Sequence, residues 1–276
     1  RDVYVIRARV KENGIGFGLE ALLREAIRVE RHGFTKSEIE REKLNLLRKM
    51  ERNYLEMDKT PSSQFASEYI RHFLDDEPIP GIEKEYELYE VLIPDIELKE
   101  VNQLAGLWIT EQSRVVMVNV PKKKGVRIPG EEELLAVMKQ VRGKKISPYE
   151  ENLIEIPLVD KVPQATDVLE EETMPDLGVI EWRLPNGATV VLKPTDFQND
   201  QVIFGSFSPG GHSVVSDADY MAAYTAATVV SQGGLGSFNL IALQKKLAGK
   251  VVQVSPSIGE LQEGVFGSAS REDLET

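Results

Sequence analysis

A change of pattern near residue 143 most constrains how this chain of 276 residues can fold. Before that point, apolar residues recur at helical spacing. From Gly143 to Asp176, four prolines and many acidic residues interrupt any period, which is typical of a linker that buries little apolar surface. The sequence therefore predicts two domains, 1–142 and 178–276, joined by an extended, proline-rich linker over 143–177.

The first domain is predicted to be mostly helical, with a few strands. Thr35 and Glu38 have the spacing of a capping box, in which each side chain bonds the other residue's backbone N–H group. In the helix that opens at Pro61, we expect the apolar residues Phe65, Tyr69, Ile70 and Phe73 to face inward. The remaining helices are expected over Gly18–Arg31, after Thr35, and over Glu83–Leu92, Leu98–Trp108 and Glu131–Val141. Strand-like apolar runs cover Val3–Val10 and Arg114–Val120.

The second domain begins with a predicted β-hairpin. An Asn-Gly pair at Asn186 and Gly187 separates two apolar runs, and both residue types tolerate a positive φ. A helix capped by Asp217 or Asp219 is expected to continue to about Val230. The other expected elements are strands over Gly178–Leu184, Ala188–Lys193, Val202–Ser208, Val251–Ser255 and Val265–Ser270, and a helix over Phe238–Leu247. The predicted fold class is α+β, with helices packed on a mostly antiparallel sheet in each domain.

Composition excludes several kinds of partner. The formal net charge of −12 argues against a nucleic-acid-binding face, which needs clustered Lys and Arg, and against anionic membrane surfaces. No apolar run approaches the roughly 20 residues of a membrane span. The chain has no cysteine, so it forms no disulfide and no thiolate metal site, and its compartment stays open.

Three phrases of the second half carry a resemblance when they are taken in order. They are Leu184-Pro185-Asn186-Gly187, then Val190-Val191-Leu192-Lys193-Pro194, then Phe207-Ser208-Pro209-Gly210-Gly211. In this order they resemble the opening of a domain in the insulinase/pitrilysin family of zinc metallopeptidases, the inverzincins. Segments 243–250, 255–260 and 267–276 look like the non-catalytic domain of a bacterial subgroup. In the first half, 18–23, 31–35, 59–60 and 78–81 are similar to the later part of the domain that follows the family's zinc domain.

The resemblance implies that the chain is a fragment that runs from the second family domain into the third. In the family's active domain, the helix after the glycine turn bears H-x-x-E-H, whose histidines bind zinc and whose glutamate activates water. Here the corresponding segment, Tyr220–Ala227, has neither histidine nor glutamate. We therefore expect no catalytic residue, no metal ligand and no cofactor in this chain, and zinc in the catalytic domain of a parent protein. The substrate-binding residues are not defined by the sequence.

The three histidines do not form a metal motif. His32, His72 and His212 are 40 and 140 residues apart. Glu68 and His72 have i,i+4 spacing on one predicted helix, which favours a surface salt bridge or hydrogen bond. His212 follows two glycines, so it is interpreted as a solvated turn residue.

Four other features receive structural interpretations. Gly14–Gly18 lacks the full spacing of a nucleotide-binding loop and is interpreted as a flexible turn. Gly233–Ser237 lacks the lysine of a phosphate loop and is placed between two helices. Lys122–Lys124 is interpreted as a solvated corner. The carboxylates Asp217, Asp219, Glu260 and Glu263 form an acidic cluster only if the fold gathers them.

Two functions follow from the resemblance. In the first, the chain is a non-catalytic segment of a zinc-dependent endopeptidase and helps enclose its peptide substrates. In the second, it belongs to a catalytically inactive relative that acts as a scaffold or binding module. An upstream H-x-x-E-H distinguishes the two. The partners implied are peptide or protein substrates and the upstream catalytic domain, and the family suggests a periplasmic or otherwise extracytoplasmic location.

Overall fold

Helices form where the apolar spacing predicts them. The computed structural model describes residues 3–151 and 154–276. The elements Leu98–Trp108 and Glu131–Arg142 match the predicted bounds within a residue, whereas the first helix begins three residues early. In chain order the helices are α1 (Ile15–His32), α2 (Lys36–Leu55), α3 (Ser62–Asp75), α4 (Ile82–Asp95), α5 (Leu98–Trp108), α6 (Glu131–Arg142), α7 (Tyr220–Gly233) and α8 (Leu240–Lys246).

The capping box fixes the start of α2. The Thr35 backbone N–H donates to the Glu38 carboxylate at 2.7 Å, and the Glu38 N–H donates to Thr35 Oγ1 at 3.3 Å. The same reciprocal device begins α5, where the Glu97 N–H donates to the Glu100 carboxylate at 2.8 Å. Each pair satisfies N–H groups that a helix start leaves without intrahelical partners.

In the part of the chain that the structure describes, six strands form two antiparallel sheets, which confirms the α+β class. The first sheet has the order β1 (Glu170–Met174), β2 (Val179–Arg183), β3 (Thr189–Leu192). The second contains β4 (Val202–Pro209), β5 (Val252–Ile258) and β6 (Gln262–Ala269), with β6 in the centre. Both sheets belong to the second half of the chain.

The predicted hairpin is present, and its turn differs from the mirror-image type. Gly187 has a φ of 84°, whereas Asn186 does not take a positive φ. Pro185 explains the difference, because it lacks the N–H that the residue before a two-residue Asn-Gly turn donates. Its fixed negative φ instead suits the first position of a three-residue loop that ends in Gly187. The Gly187 N–H donates to the Leu184 carbonyl at 2.9 Å, and the Leu184 N–H donates to the Ala188 carbonyl at 2.9 Å.

The described residues divide into two compact units. The first contains residues up to Lys43 and those from Leu92 to Glu151, and the second contains Leu44–Val91 and the residues from Ile154 onward. In the first unit, α1 is the centre of the core. Its residues Leu23 and Ile27 pack with Val141 of α6 and with Ile146, and Ala26 packs with Ala105 and Ile109.

Some sequence predictions about the fold are wrong. Residues 3–10 and 114–120 are not strands, because an apolar run becomes a strand only where another strand pairs with it. Residues 170–174, predicted as linker, form β1, which pairs with β2 through their backbones despite its three glutamates. The apolar residues of α3 do not face inward, since Phe65, Tyr69, Ile70 and Phe73 are all exposed.

Glycines in the second sheet make room for aromatic rings on the neighbouring strand. Phe204 of β4 lies opposite Gly267 of β6, and Gly205 lies opposite Phe266. A Cβ at position 267 would lie 2.4 Å from Phe204 Cζ and 2.5 Å from the Gln253 carbonyl oxygen. These reciprocal pairs let each ring cover the glycine opposite it, so the strand pairing depends on both glycines.

Gly267→Ala is expected to lower the free energy of unfolding of the second unit by about 1–3 kcal/mol, because the added methyl group overpacks against backbone. Urea unfolding followed by far-UV circular dichroism measures the change. The matched control is Gly233→Ala at the end of α7, where a Cβ meets no atom within 4 Å. That control is expected to be neutral or slightly stabilising. Equal stabilities for the two variants would show that the glycine–aromatic pairing has no such role.

Candidate functional site

Helix α7 follows the turn at Gly210 and Gly211, which is the position where the resemblance implies a metal motif in an active domain. Its sequence, YMAAYTAATVVSQG, contains no histidine and no carboxylate. The carboxylate of its N-cap, Asp219, accepts a hydrogen bond from Ser216 Oγ at 2.8 Å. In residues 3–151 and 154–276, no group of three or more His, Cys, Asp or Glu side chains is arranged to hold a metal ion. The described residues therefore do not fit a zinc site.

The histidines lie apart and have ordinary structural partners. A ring nitrogen of His32 lies 2.8 Å from the Ile146 carbonyl oxygen in the first unit. A ring nitrogen of His72 lies 2.7 Å from the Glu77 carbonyl oxygen in the second. His72 therefore bonds the Glu77 carbonyl, and not the Glu68 side chain that the i,i+4 spacing suggested.

His212 lies in the turn between β4 and α7 and is half-buried rather than fully solvated. Its ring is edge-on to Tyr220 and Tyr224, with centroids 5.1 and 5.8 Å away, and the two tyrosine rings stack. The His212 backbone N–H donates to the Gly259 carbonyl at 3.0 Å. The turn is therefore fixed by backbone bonds to the β5–β6 connection and by aromatic packing on α7.

The four carboxylates considered as an acidic cluster have separate surroundings. Asp219 occupies the N-cap position of α7 without a capping side-chain bond, and Glu263 lies on β6 opposite Ser208. The Glu260 backbone carbonyl, rather than its carboxylate, accepts from the Ser213 N–H at 2.9 Å. The described structure assigns them no common ligand.

The glycine-rich and lysine-rich segments are structural. Gly14–Gly18 is not a flexible turn, because α1 begins at Ile15 and Gly18 is buried beneath Val10. Gly234 has a φ of 102° in the connection between α7 and α8, which confirms the predicted position between two helices. The corner at Lys122–Lys124 is exposed, and Lys123 Nζ lies 2.6 Å from the Glu12 carboxylate.

The surface most suited to binding is the outer strand of the second sheet. Strand β4 is at the edge of the order β4-β6-β5, and no described residue forms a ladder on its outer side. Ile203 and Phe207 lie on the same face of β4, with Gly205 between them. Phe266 of β6 lies opposite Gly205 and is therefore on this face too. Ile203, Phe207 and Phe266 are 73%, 76% and 49% exposed. An open backbone edge thus lies beside an apolar strip.

A buried ionic network supports this sheet, and we name it the Asp273 network after its central residue. Asp273 is only 1% exposed, and its carboxylate lies 2.9 Å from Lys250 Nζ and 3.5 Å from an Arg48 nitrogen. It also accepts hydrogen bonds from the Val251 N–H at 2.7 Å and from Ser270 Oγ at 2.9 Å. Asp273 thereby connects Arg48 of α2 to the residues just before β5, while Asp273 itself lies just after β6.

Asp200, directly before β4, completes the Asp273 network. Its Oδ1 accepts from the Arg271 N–H at 2.9 Å, and its Oδ2 lies 3.5 Å from Arg48. The Asp200 N–H donates to the Glu56 carboxylate at 2.6 Å, and the neighbouring Asn199 side chain donates to the Leu55 carbonyl at 2.9 Å. The start of β4 is therefore held against the end of α2.

Two opposing effects act on the pKa of Asp273. Burial alone would raise it, because it disfavours the charged form. The hydrogen bonds from Val251, Lys250 and Ser270, together with the charge of Lys250, outweigh burial and lower the pKa to about 2. The carboxylate thus stays ionised in the folded protein at all but strongly acidic pH.

Sequence reasoning missed the Asp273 network, although one local signal was present. Ser270 and Asp273 have the S-x-x-D spacing of a capping motif, and the Asp273 N–H does donate to Ser270 Oγ at 3.1 Å. The partner Arg48 lies 225 residues away in the chain. No periodicity or spacing rule connects residues at that separation.

The chain is similar in sequence to zinc proteases and in fold to a solved protease. A zinc protease PqqL-like protein of Arabidopsis thaliana is 32% identical over 221 residues, which are 80% of this chain and 23% of that protein. A probable zinc protease PqqL of Haemophilus influenzae is 21% identical over 251 residues, 90% of this chain and 26% of that protein. A solved mutant of the ferredoxin protease FusC, in complex with Arabidopsis ferredoxin, has a TM-score of 0.51. That likeness, at 21% identity, covers 96% of this chain and 30% of FusC, and shows a shared fold.

The chain belongs to the insulinase/pitrilysin family of zinc metallopeptidases. It spans about a quarter of the length of the curated relatives it matches. No protein-family model matches it. Helix α7, which follows the glycine turn, carries tyrosine, alanine and valine and has no histidine or carboxylate. None of the described helices is both long and apolar enough to cross a membrane.

Asp273→Asn is expected to lower the free energy of unfolding of the second unit by about 3 kcal/mol, because it removes the buried charge that Lys250 and Arg48 share. Chemical denaturation at neutral pH measures the loss. Glu275→Gln is the matched control, since that side chain is exposed and a surface substitution costs at most about 0.5 kcal/mol. Similar losses in both variants would contradict a central role for Asp273.

Acid is expected to remove the same stabilisation in the unmutated chain. The folded-state pKa of Asp273 is lowered, so its contribution is present above the unfolded pKa of about 4 and is lost as the pH falls towards 2. Unfolding midpoints measured between about pH 5 and pH 2.5 should therefore converge for the unmutated chain and Asp273→Asn. A difference that stays constant over this range would show that the pKa is not depressed.

Proposed function

We propose that this chain is a non-catalytic segment of a zinc-dependent endopeptidase, and that its second sheet forms part of the wall that encloses peptide substrates. The observation that carries the proposal is the exposed β4 edge with its apolar strip, in a unit whose helix α7 lacks metal ligands. Proteolysis then belongs to the parent protein. The chain itself is expected to be inactive alone.

The chemistry of an open strand edge supports the proposal. Unpaired N–H and C=O groups bind the backbone of an extended peptide without requiring a particular sequence. Ile203, Phe207 and Phe266 add apolar contacts for alternate side chains of such a peptide. Binding of this kind orients and confines a substrate, which is a contribution to catalysis through positioning.

The metal belongs elsewhere in this proposal. Zinc in a peptidase of this kind polarises the scissile carbonyl and activates water. The described residues of this chain do not fit a zinc site, so they take no part in that chemistry. The remaining parts of the proposal are an upstream catalytic domain as partner, peptide or protein substrates, and an extracytoplasmic location, as the family suggests.

The proposal is tested on the purified chain with an extended, uncharged peptide rich in Val and Thr. Hydrogen–deuterium exchange with and without peptide is expected to show slower exchange in residues 202–209, because an added strand protects edge amides. Replacing Ile203 and Phe207 together by Asp is expected to weaken binding by about tenfold or more. Elemental analysis after dialysis is expected to find no stoichiometric zinc.

The matched control is Ile241→Asp on α8, another exposed apolar residue of the second unit. It should leave peptide affinity unchanged. Protection spread over the chain, or an equal loss in control and double variant, would rule out the β4 edge as the binding strand. Stoichiometric zinc or peptide hydrolysis by the chain would overturn its assignment as non-catalytic.

A further inference from the structure

Helix α3 has an apolar side that nothing in the described structure covers. Phe65, Tyr69 and Phe73 follow one another at i,i+4 spacing, and Ile70 and Leu74 widen the stripe to about half of the helix circumference. Round the helix, Glu68 lies about 60° beyond Phe65 and Arg71 about 60° beyond Leu74, so charged residues flank both edges of the stripe. A helix patterned in this way normally buries its apolar side against a neighbour.

The apolar side of α3 is exposed along its length. Phe73 is 84% exposed and Leu74 70%, and none of the residues of α3 is buried. Five adjacent large apolar side chains form a continuous patch, and patches of this kind on water-facing surfaces mark interaction sites. We refer to Phe65, Tyr69, Ile70, Phe73 and Leu74 as the α3 patch.

Charged residues of α3 interact with carboxylates of the α3–α4 connection and of α4. Arg71 Nε lies 2.8 Å from the Glu77 carboxylate, and the pKa of Arg71 is raised first by that bond and further by the charges of Glu68 and Glu85. The pKa of Glu85 is raised by burial and then by the negative charges of Glu68 and Glu77. Three carboxylates thus share one arginine, and their negative charge is not fully compensated.

Acidic side chains also outnumber basic ones over the whole of α3, α4 and their connection. Residues 62–91 contain eight acidic and two basic side chains, Arg71 and Lys84, which gives a net charge of −6. This is half of the chain's −12 in a segment of 30 residues. The α3 patch therefore lies in a strongly acidic segment, and charge complementarity favours a cationic occupant.

We propose that the α3 patch and the carboxylates of α3 and α4 form a docking surface for a basic amphipathic polypeptide segment. Its apolar side packs on Phe65, Tyr69 and Phe73, and its Lys or Arg side chains lie near Glu68, Glu77 and Glu85. Helix-on-helix recognition of this type uses apolar anchors at i, i+4 and i+8 with charges at the rim. The surface is separate from the β4 edge and does not depend on the proposed function.

Two other occupants are disfavoured by charge. A second copy would bring another segment of net charge −6 against the first, and like charges across an interface oppose association. An anionic membrane surface repels the same carboxylates. A basic polypeptide gains both the apolar contact and the electrostatic attraction, so it is the occupant that both observations support.

The test measures fluorescence anisotropy of a labelled Leu/Lys peptide of about 14 residues, four helical turns, titrated with the full chain. A Leu/Glu peptide of the same length and apolar pattern is the charge control. The Leu/Lys peptide is expected to bind at least about tenfold more tightly than the Leu/Glu peptide, with affinity that falls as salt is raised.

Phe73→Ser is expected to weaken Leu/Lys binding by about tenfold, because it removes the most exposed anchor without touching a core. Replacing Glu68 and Glu85 together by Gln is expected to reduce the salt dependence. The matched control is Phe197→Ser, a 79% exposed phenylalanine outside the α3 patch. It should bind as tightly as the unmutated chain.

Several outcomes would overturn the docking surface. Unchanged Leu/Lys binding in Phe73→Ser would show that the α3 patch is not the binding surface. Equal affinity for the Leu/Lys and Leu/Glu peptides would show that charge does not select the occupant. Sedimentation showing a dimer that Phe73→Ser dissociates would identify a second copy as the occupant instead. Binding to anionic phosphatidylserine vesicles that depends on Phe73 would identify a membrane surface.

Discussion

The buried carboxylate of Asp273 is the interaction on which the second unit depends. Two cations, one hydroxyl and one backbone N–H converge on it. Through Arg48 it fastens α2, through Lys250 and Val251 it fastens the start of β5, and through Arg48 again it reaches Asp200 at the start of β4. An ion withdrawn from water to this degree is tolerated only with several partners, so losing one of them disturbs the others.

That network also positions the candidate binding strand. Strand β4 has only one neighbour within its sheet, so half of its backbone groups gain nothing from pairing. Hydrogen bonds that involve side chains hold its start instead. Asp200 bonds both Glu56 and Arg271, and Asn199 bonds the Leu55 carbonyl. An edge strand fixed in this way can keep its shape while its outer side stays open.

Local chemistry decided which elements could be predicted. The capping box at Thr35, the helix over Leu98–Trp108 and the turn at Gly187 follow from residues within four positions of one another, and all were predicted. The strands at 3–10 and 114–120 were predicted wrongly, because pairing depends on distant residues. The amphipathic pattern of α3 was read correctly from the sequence, but no pattern tells which side of a helix finds a neighbour.

The candidate site divides in the same way. The absence of metal ligands from the segment that becomes α7 was readable, because a motif of five residues is local. The Asp273 network was not, since the fold brings Arg48 and Asp273 together across 225 positions. The apolar strip of β4 was only partly readable. Strand alternation over the predicted range is enough to put Ile203 and Phe207 on one face, whereas the pairing with β6 that sets Phe266 beside them is a tertiary property.

The open edge of β4 has a practical consequence for anyone handling the chain at high concentration. Residues 202–208, Val-Ile-Phe-Gly-Ser-Phe-Ser, contain no charge and no proline, and they are rich in residues that favour strands. Such a segment, held extended with one side unpaired, is a template for stacking identical strands from other molecules. Proline first appears at Pro209, where the strand ends. The feature that suits β4 to receive a peptide therefore also makes it the place from which fibrous aggregation would start.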